Sequence, residues 1–174
     1  MATYSPWHMN TTKYSARELT ILAVCTALLF AVQVALAGLP NIELVSLLVI
    51  LYTITFQKKA LLPIYSFVVL QGLLYGFHLW WFMYLYVWFI LWLVVMFFGQ
   101  QQRSVLQWAL LSGIYGLLFG GLCAVSYLPF SGIAGAIAWW IAGIPSDFVH
   151  GIGNFIVTLV LFQPLHRIMS TLKL

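Results

Sequence analysis

The sequence predicts an all-α membrane protein, a bundle of six transmembrane helices with both termini cytoplasmic, and three observations carry that reading. Hydrophobic residues make up 64% of the 174-residue chain and charged residues only 6%, whereas soluble domains carry roughly a quarter. Apolar runs near the ~20 residues needed to cross a bilayer recur along the chain, separated by short polar or Gly/Pro breaks. All seven Lys and Arg residues fall at alternate breaks, on one side. Residues 1–174 therefore read as a single integral membrane domain in contact with the lipid bilayer.

Breaks at 38–40, 58–59, 78, 99–104 and 129–145 place the spans near 17–37, 42–57, 60–77, 79–98, 105–128 and 145–164. No charged region followed by a short apolar stretch and a small-residue cleavage site opens the sequence, so the first apolar segment is expected to be retained as span one. The fifth connection, "PFSGIAGAIAWWIAG", is longer and reads as either a short helix over the membrane face or a broken extension of its neighbours. Lys13 and Arg17 precede span one, Lys58 and Lys59 follow span two, Arg103 follows span four, and Arg167 and Lys173 follow span six. By the positive-inside rule that side is cytoplasmic, which leaves 38–41, the residues near 78 and 129–144 outside. The basic residues are scattered singly or in pairs, so they read as topology signals and not as a nucleic-acid surface. Cys25 and Cys123 lie within apolar segments and read as small packing residues.

The polar residues are few enough to place one by one. In "GIPSDFVHGIGNF", Pro145 suits the first position of a helix, which puts Asp147 in the first turn beside the positive end of the dipole. Steps of three and seven from Asp147 reach His150 and Asn154, so all three share one helical face. Asn41 and Glu43 open span two at similar depth, Gln71, Tyr75 and His78 close span three, and Trp80, Trp81 and Tyr84 begin span four nearby. Ionisable groups inside a membrane cost ~2.5–3.5 kcal/mol at its centre and usually face a cavity. The plainer alternative has Asp147 capping its helix, His150 bonding a carbonyl and Asn154 joining two spans. The convergent set favours a ligand site open to the outside.

Trp80, Tyr84, Trp88 and Trp92 recur every four residues in "LWWFMYLYVWFILW", a broad helical stripe. An interfacial belt explains Trp80 and Trp81, and packing accounts for Trp88 and Trp92; the outer members also offer faces for a flat ring. Trp139 and Trp140 read either as a lid or as interface anchors.

Span one spaces Ala23, Ala27, Ala31 and Ala35 four residues apart, a shallow track on which another helix can approach closely. Packing against the protein's own spans is the alternative, and Gly116 and Gly120 of span five are candidate partners. With "ARELTILAVCTALLFA", "PNIELVSLLVILYT" and "GIPSDFVHGIGNFIVTLVLFQPL", the chain resembles, over nearly its whole length, the substrate-binding S-components of energy-coupling factor vitamin transporters. The resemblance implies an S-component-like bundle in a bacterial cytoplasmic membrane that docks through Ala23, Ala27 and Ala31 on a transmembrane coupling subunit. Two ATPase subunits would drive that module, and a vitamin or precursor would sit near the outer face under the loops between spans. Members of the family often carry a large residue after the proline of the last motif, where this chain has Ser146.

No Gly-rich Lys-Ser/Thr phosphate loop is present, so ATP would be hydrolysed by partners and no cofactor is expected. Other classes are weaker fits. A metal enzyme would need His78, His150 and Asp147 together, yet no His-Glu-x-x-His helix occurs. A proton-coupled secondary transporter would use a carboxylate–histidine relay, but the usual internal repeats are not evident. A ring-containing compound such as pyridoxine or hydroxymethylpyrimidine suits the short loops at 38–41 and 78, and cobalamin would need a wider opening.

Overall fold

Ser15 starts the first helix: its side chain accepts the Glu18 N–H at 3.2 Å, while the Glu18 carboxylate accepts the Ser15 N–H at 2.8 Å, a reciprocal capping box. In the computed structural model, which describes residues 14–99, 101 and 103–172, every regular element is helical. Helix α1 is Ala16–Ala35, α2 Val45–Phe56, α3 Leu61–Tyr75, α4 Leu79–Phe98, α5 Val105–Ala124 and α6 Leu128–Ser170. Short 3-10 helices, Gln57–Ala60 and Val125–Tyr127, join α2 to α3 and α5 to α6. Ser104 and Gln107 form a second capping box at the start of α5. Lys13 and Lys173, two of the residues used to orient the chain, lie outside the described residues.

Among the described residues, four continuous stretches are long and apolar enough to cross a membrane, Ala16–Ala35, Val45–Tyr75, Leu79–Phe98 and Val105–Ser170. Six were expected, and the difference lies at two joints, the break at 58–59 and the connection 129–144, which proves to be the broken extension of its neighbour. At the first, only Gln57 (φ 52°) leaves the right-handed region before a helical turn carries the chain into α3. Helices α2 and α3 have 12 and 15 residues; at ~1.5 Å per residue each is shorter than the ~30 Å hydrocarbon layer. Span two, expected from 42, begins as helix at Val45. At the second joint the segment 129–144 is helical and continuous with α6, broken only at Gly132 (φ 66°, ψ −175°), a conformation open to glycine. Pro145 therefore sits inside α6 and does not start it, so Asp147 has no helix N-terminus beside it.

Contacts give the order of packing. The Tyr65 hydroxyl donates to the Leu85 carbonyl at 2.9 Å, the Trp81 indole to the Val68 carbonyl at 2.9 Å, and the Trp92 indole to the Gln57 carbonyl at 3.1 Å. Positions fall from α3 back to Gln57 as they rise along α4, so the two segments run antiparallel. Helices α5 and α6 are antiparallel too: Gly120 meets Asp147, Gly116 meets Gly151 and Gly113 meets Phe155. A Cβ on Gly116 would stand 2.9 Å from the Gly151 Cα, so these backbones touch, as small residues allow between helices in lipid. At the centre, every residue of α2 from 45 to 53 is buried.

Lys59 pairs with Glu18, which ties Gln57–Ala60 to the start of α1. Arg103 lies over the Phe98 ring, Trp108 stacks on Phe162, and Phe162 on His166. With the Trp92–Gln57 bond, these contacts gather Arg17, Lys58, Lys59, Arg103 and Arg167 toward one end of the bundle. The outside reverses the soluble pattern: Val24, Leu73, Phe97, Phe130 and Ile133 are each more than 60% exposed, while Ser46, Gln71, Ser112, Asp147, Asn154 and Thr158 are buried. An apolar exterior over four such stretches is that of a helical protein embedded in a membrane.

The glycines divide into those that admit a neighbour and those that do not. Nothing lies within 4 Å of a Cβ built on Gly143, so Gly143→Ala is expected to gain up to ~1 kcal/mol from helix propensity. Gly116→Ala is expected to lose ~1–3 kcal/mol by forcing α5 and α6 apart. Reversible unfolding in mixed micelles measures both, and equal effects would contradict the α5–α6 contact.

Candidate functional site

The last turn of α1, the loop 36–42 and the facing sides of α4, α5 and α6 enclose a cavity of about 210 Å³. Its polar wall consists of Gln33, Asn41, Glu43, Asp147 and His150, and its aromatic wall of Tyr84, Trp88 and Phe119. The loop is a string of tight turns, with the Leu39 N–H donating to the Leu36 carbonyl at 2.8 Å and the Ile42 N–H to the Leu39 carbonyl at 3.2 Å. Asn41 takes φ 62°, a left-handed conformation that Asn tolerates better than most residues. Gly153 leaves room for it: a Cβ there would stand 2.8 Å from Ile42 Cδ1.

Glu43 serves fold and site together. Its Oε2 accepts the Ser46 N–H at 2.8 Å, capping the first turn of α2, and its Oε1 lies 3.3 Å from His150 Nε2. Asn154 Nδ2 donates to Ser46 Oγ at 3.2 Å, behind the cavity. The Phe119 ring meets the His150 ring at 4.8 Å between centroids and 76° between planes, which fixes the imidazole from the other side. Burial pushes the Glu43 carboxyl up, but the hydrogen bond and charge of His150 and the Ser46 donors outweigh it and hold the carboxyl below its ordinary value.

Asp147 is held differently. Its Oδ1 accepts the backbone N–H of Gly120 at 3.0 Å across the α5–α6 contact, and a Cβ on Gly120 would collide with the carboxylate. Among the described residues its Oδ2 has no hydrogen bond of good geometry, although the Trp140 indole lies beside the carboxylate, and the buried indole Nε1 of Trp88 has none either. Two residues that line the cavity thus each hold a buried, unused polar atom, a state that costs free energy unless another group completes it.

Of the residues the sequence singled out, the fold brings Asn41, Glu43, Tyr84, Asp147 and His150 to one cavity. Asn154 supports it through Ser46. Trp80 stands edge-on to Tyr84 with centroids 5.4 Å apart and Tyr75 edge-on to Trp80 at 6.4 Å, so these rings back the wall without lining it. Gln71 is buried with its Nε2 unpartnered, and His78 is exposed; neither lines the cavity. Trp139 stacks on Tyr127 at 4.6 Å, and the Trp140 indole packs over Gly121, close to the Asp147 carboxylate. Gln33, Trp88 and Phe119 were not assigned to the site; Gln33, the lone amide in an apolar span, was the available signal.

Ala23, Ala27, Ala31 and Ala35 are all exposed, while Leu22, Cys25, Thr26 and Leu29 face the core. Gly116 and Gly120 pack on α6 and leave the alanine track uncovered. Among the described residues, no three of His, Cys, Asp and Glu converge on a possible metal position. A larger groove of about 430 Å³ between α4 and α5 is lined by Ile90, Val94, Leu110, Ile114 and Leu118, suited to acyl chains and not to polar recognition. The chain matches no family model, no curated protein and no solved structure.

The Glu43 pairing sets a pH signature. Its folded carboxyl gives up a proton more readily than the unfolded one, so its stabilisation is complete above the unfolded value of about 4.3 and is lost as pH falls through the lower folded value. Across that window the wild type is expected to lose stability more steeply than Glu43→Gln in unfolding experiments. Parallel acid limbs would contradict the Glu43–His150 pairing.

Proposed function

We propose that the chain is the substrate-binding membrane subunit, or S-component, of an energy-coupling factor (ABC-type) importer, which captures a small vitamin or vitamin precursor and passes it inward. The single observation that carries this reading is the cavity itself. Glu43, Asp147 and His150 meet three aromatic rings there, with a buried donor and a buried acceptor unused. The polar cavity lies at the start of α2 and α4, whereas the basic residues gather around Gln57–Ala60 and the α4–α5 turn. The positive-inside rule then makes the cavity's end outward-facing.

In this reading the chain crosses the bacterial cytoplasmic membrane six times, with the reversal of direction between α2 and α3 and between α5 and α6 supporting two crossings in each of the longer stretches. The volume of about 210 Å³ in this half-open cavity favours a one-ring ligand such as a pyridine or pyrimidine compound over cobalamin. The exposed alanine track is the docking face for the coupling subunit, and two ATPase subunits supply the energy, so the chain itself is not an enzyme. The 3.3 Å Glu43–His150 pair favours a second reading, a proton-coupled carrier that works without ATPases. Uptake into liposomes holding this protein alone, driven by a pH gradient, would select the second reading.

Native mass spectrometry of gently purified protein is expected to show a copurified vitamin-sized molecule that is lost in Asp147→Ala and His150→Ala and kept in Trp139→Phe. Retention in all three would remove the cavity from the account. Ala27→Trp and Ala31→Trp are expected to abolish cellular uptake at normal expression while leaving the copurified molecule in place; unchanged uptake would overturn the docking face.

A further inference from the structure

The cavity's charge and its unused hydrogen-bonding atoms define the ligand more narrowly than its size does. Two carboxylates, Glu43 and Asp147, line it, and among the described residues no Lys or Arg does. Both oxygens of Glu43 are occupied, one by the Ser46 N–H and one by His150. His150 is committed to that pair and packed under Phe119. Asp147 has a backbone donor on Oδ1 and the Trp140 indole beside its carboxylate, and the residue is only 7% exposed while Oδ2 has no hydrogen bond of good geometry among the described residues. Trp88, 2% exposed, also lines the cavity, and its buried indole N–H is unpartnered among the described residues.

An anionic ligand would meet two carboxylates at short range. A neutral one would leave the Asp147 charge with only the His150 imidazole near it, which Glu43 already shares. A cation with an N–H meets neither difficulty: it donates a charge-assisted bond to Oδ2 and finds the ring faces of Tyr84, Trp88 and Phe119 around it. We propose that the cavity binds a small, single-ring nitrogen base as its protonated cation, with an N–H on Asp147 Oδ2 and a ring acceptor on the Trp88 indole N–H. The assignment rests on the substrate-binding reading and specifies the class of ligand that this site takes.

Three probes of like size and unlike charge test it: 4-(aminomethyl)pyridine, 4-(hydroxymethyl)pyridine and isonicotinate, titrated at neutral pH into the full chain in detergent, with binding read from intrinsic tryptophan fluorescence. The amine is expected to bind saturably and more tightly than the other two. Asp147→Asn, close in shape and still able to accept from Gly120, is expected to weaken the amine roughly tenfold or more. Trp88→Phe should weaken it several-fold. Should Asp147→Asn fail to fold, Glu43→Gln is expected to weaken the amine and spare the hydroxymethyl compound. If the alcohol or the carboxylate binds as tightly as the amine, and binding falls in Trp88→Phe, the cavity remains a binding site and the cationic class is wrong. If no probe binds, the proposal also falls, and a neutral or anionic copurified molecule in the mass spectrum would show that the substrate-binding reading survives it.

Discussion

The backbone contact between α5 and α6 is the constraint on which the site depends. Gly116 against Gly151 and Gly120 against Asp147 bring the two helices close enough for a backbone N–H near the end of α5 to donate to a side chain of α6. Any side chain at 120 would occupy the place of the carboxylate. Because Asp147, His150 and Asn154 share one face of α6, this single approach presents all three to the interior. In lipid, where apolar contact alone does little to join helices, close packing and interhelical hydrogen bonds carry the association. The same contact that holds the helices together thus also aims the polar stripe.

Helix α2 meets that stripe from the other side. Its first turn is capped by Glu43, whose second oxygen reaches His150, and its Ser46 hydroxyl receives Asn154. Two buried polar residues of α6 are therefore satisfied by groups that also start α2, so the order of the bundle and the geometry of the cavity are coupled. Asp147 Oδ2 and Trp88 Nε1 are the exceptions, both in residues that line the cavity. The other unsatisfied polar atoms, Gln71 Nε2 and the hydroxyls of Ser112 and Thr158, belong to residues that do not line this cavity.

How much of this was legible in the sequence follows from what periodicity can and cannot carry. The spacing of Asp147, His150 and Asn154 placed them on one face because helical geometry is local, and Glu43 and Tyr84 joined them because equal depth limits which residues can meet. Trp88 was assigned to packing, since a stripe at helical spacing does not distinguish a core ring from a cavity wall. Tyr75 and His78 sit at the expected depth but are exposed, a matter of rotation about α3 and its following turn that spacing does not encode. The segment 129–144 was left open because Pro145 looks like a helix start. Inside a membrane protein the donor lost at a proline is tolerated within a helix, and α6 runs straight through it. The joint at Gln57–Ala60 was read as a loop from its lysines, yet those residues make one helical turn. The alanine track had two readings, and the structure leaves it exposed along α1, with Gly116 and Gly120 packed on α6 instead.

The proposed site leaves Asp147 Oδ2 and Trp88 Nε1 to be completed by a bound molecule. Density for the protein purified gently from its native membrane, at a resolution that separates side chains, tests this most directly. The account requires non-protein density within hydrogen-bond distance of both Asp147 Oδ2 and Trp88 Nε1. A cavity closed by the protein's own groups, with both atoms satisfied from within the chain, would contradict it.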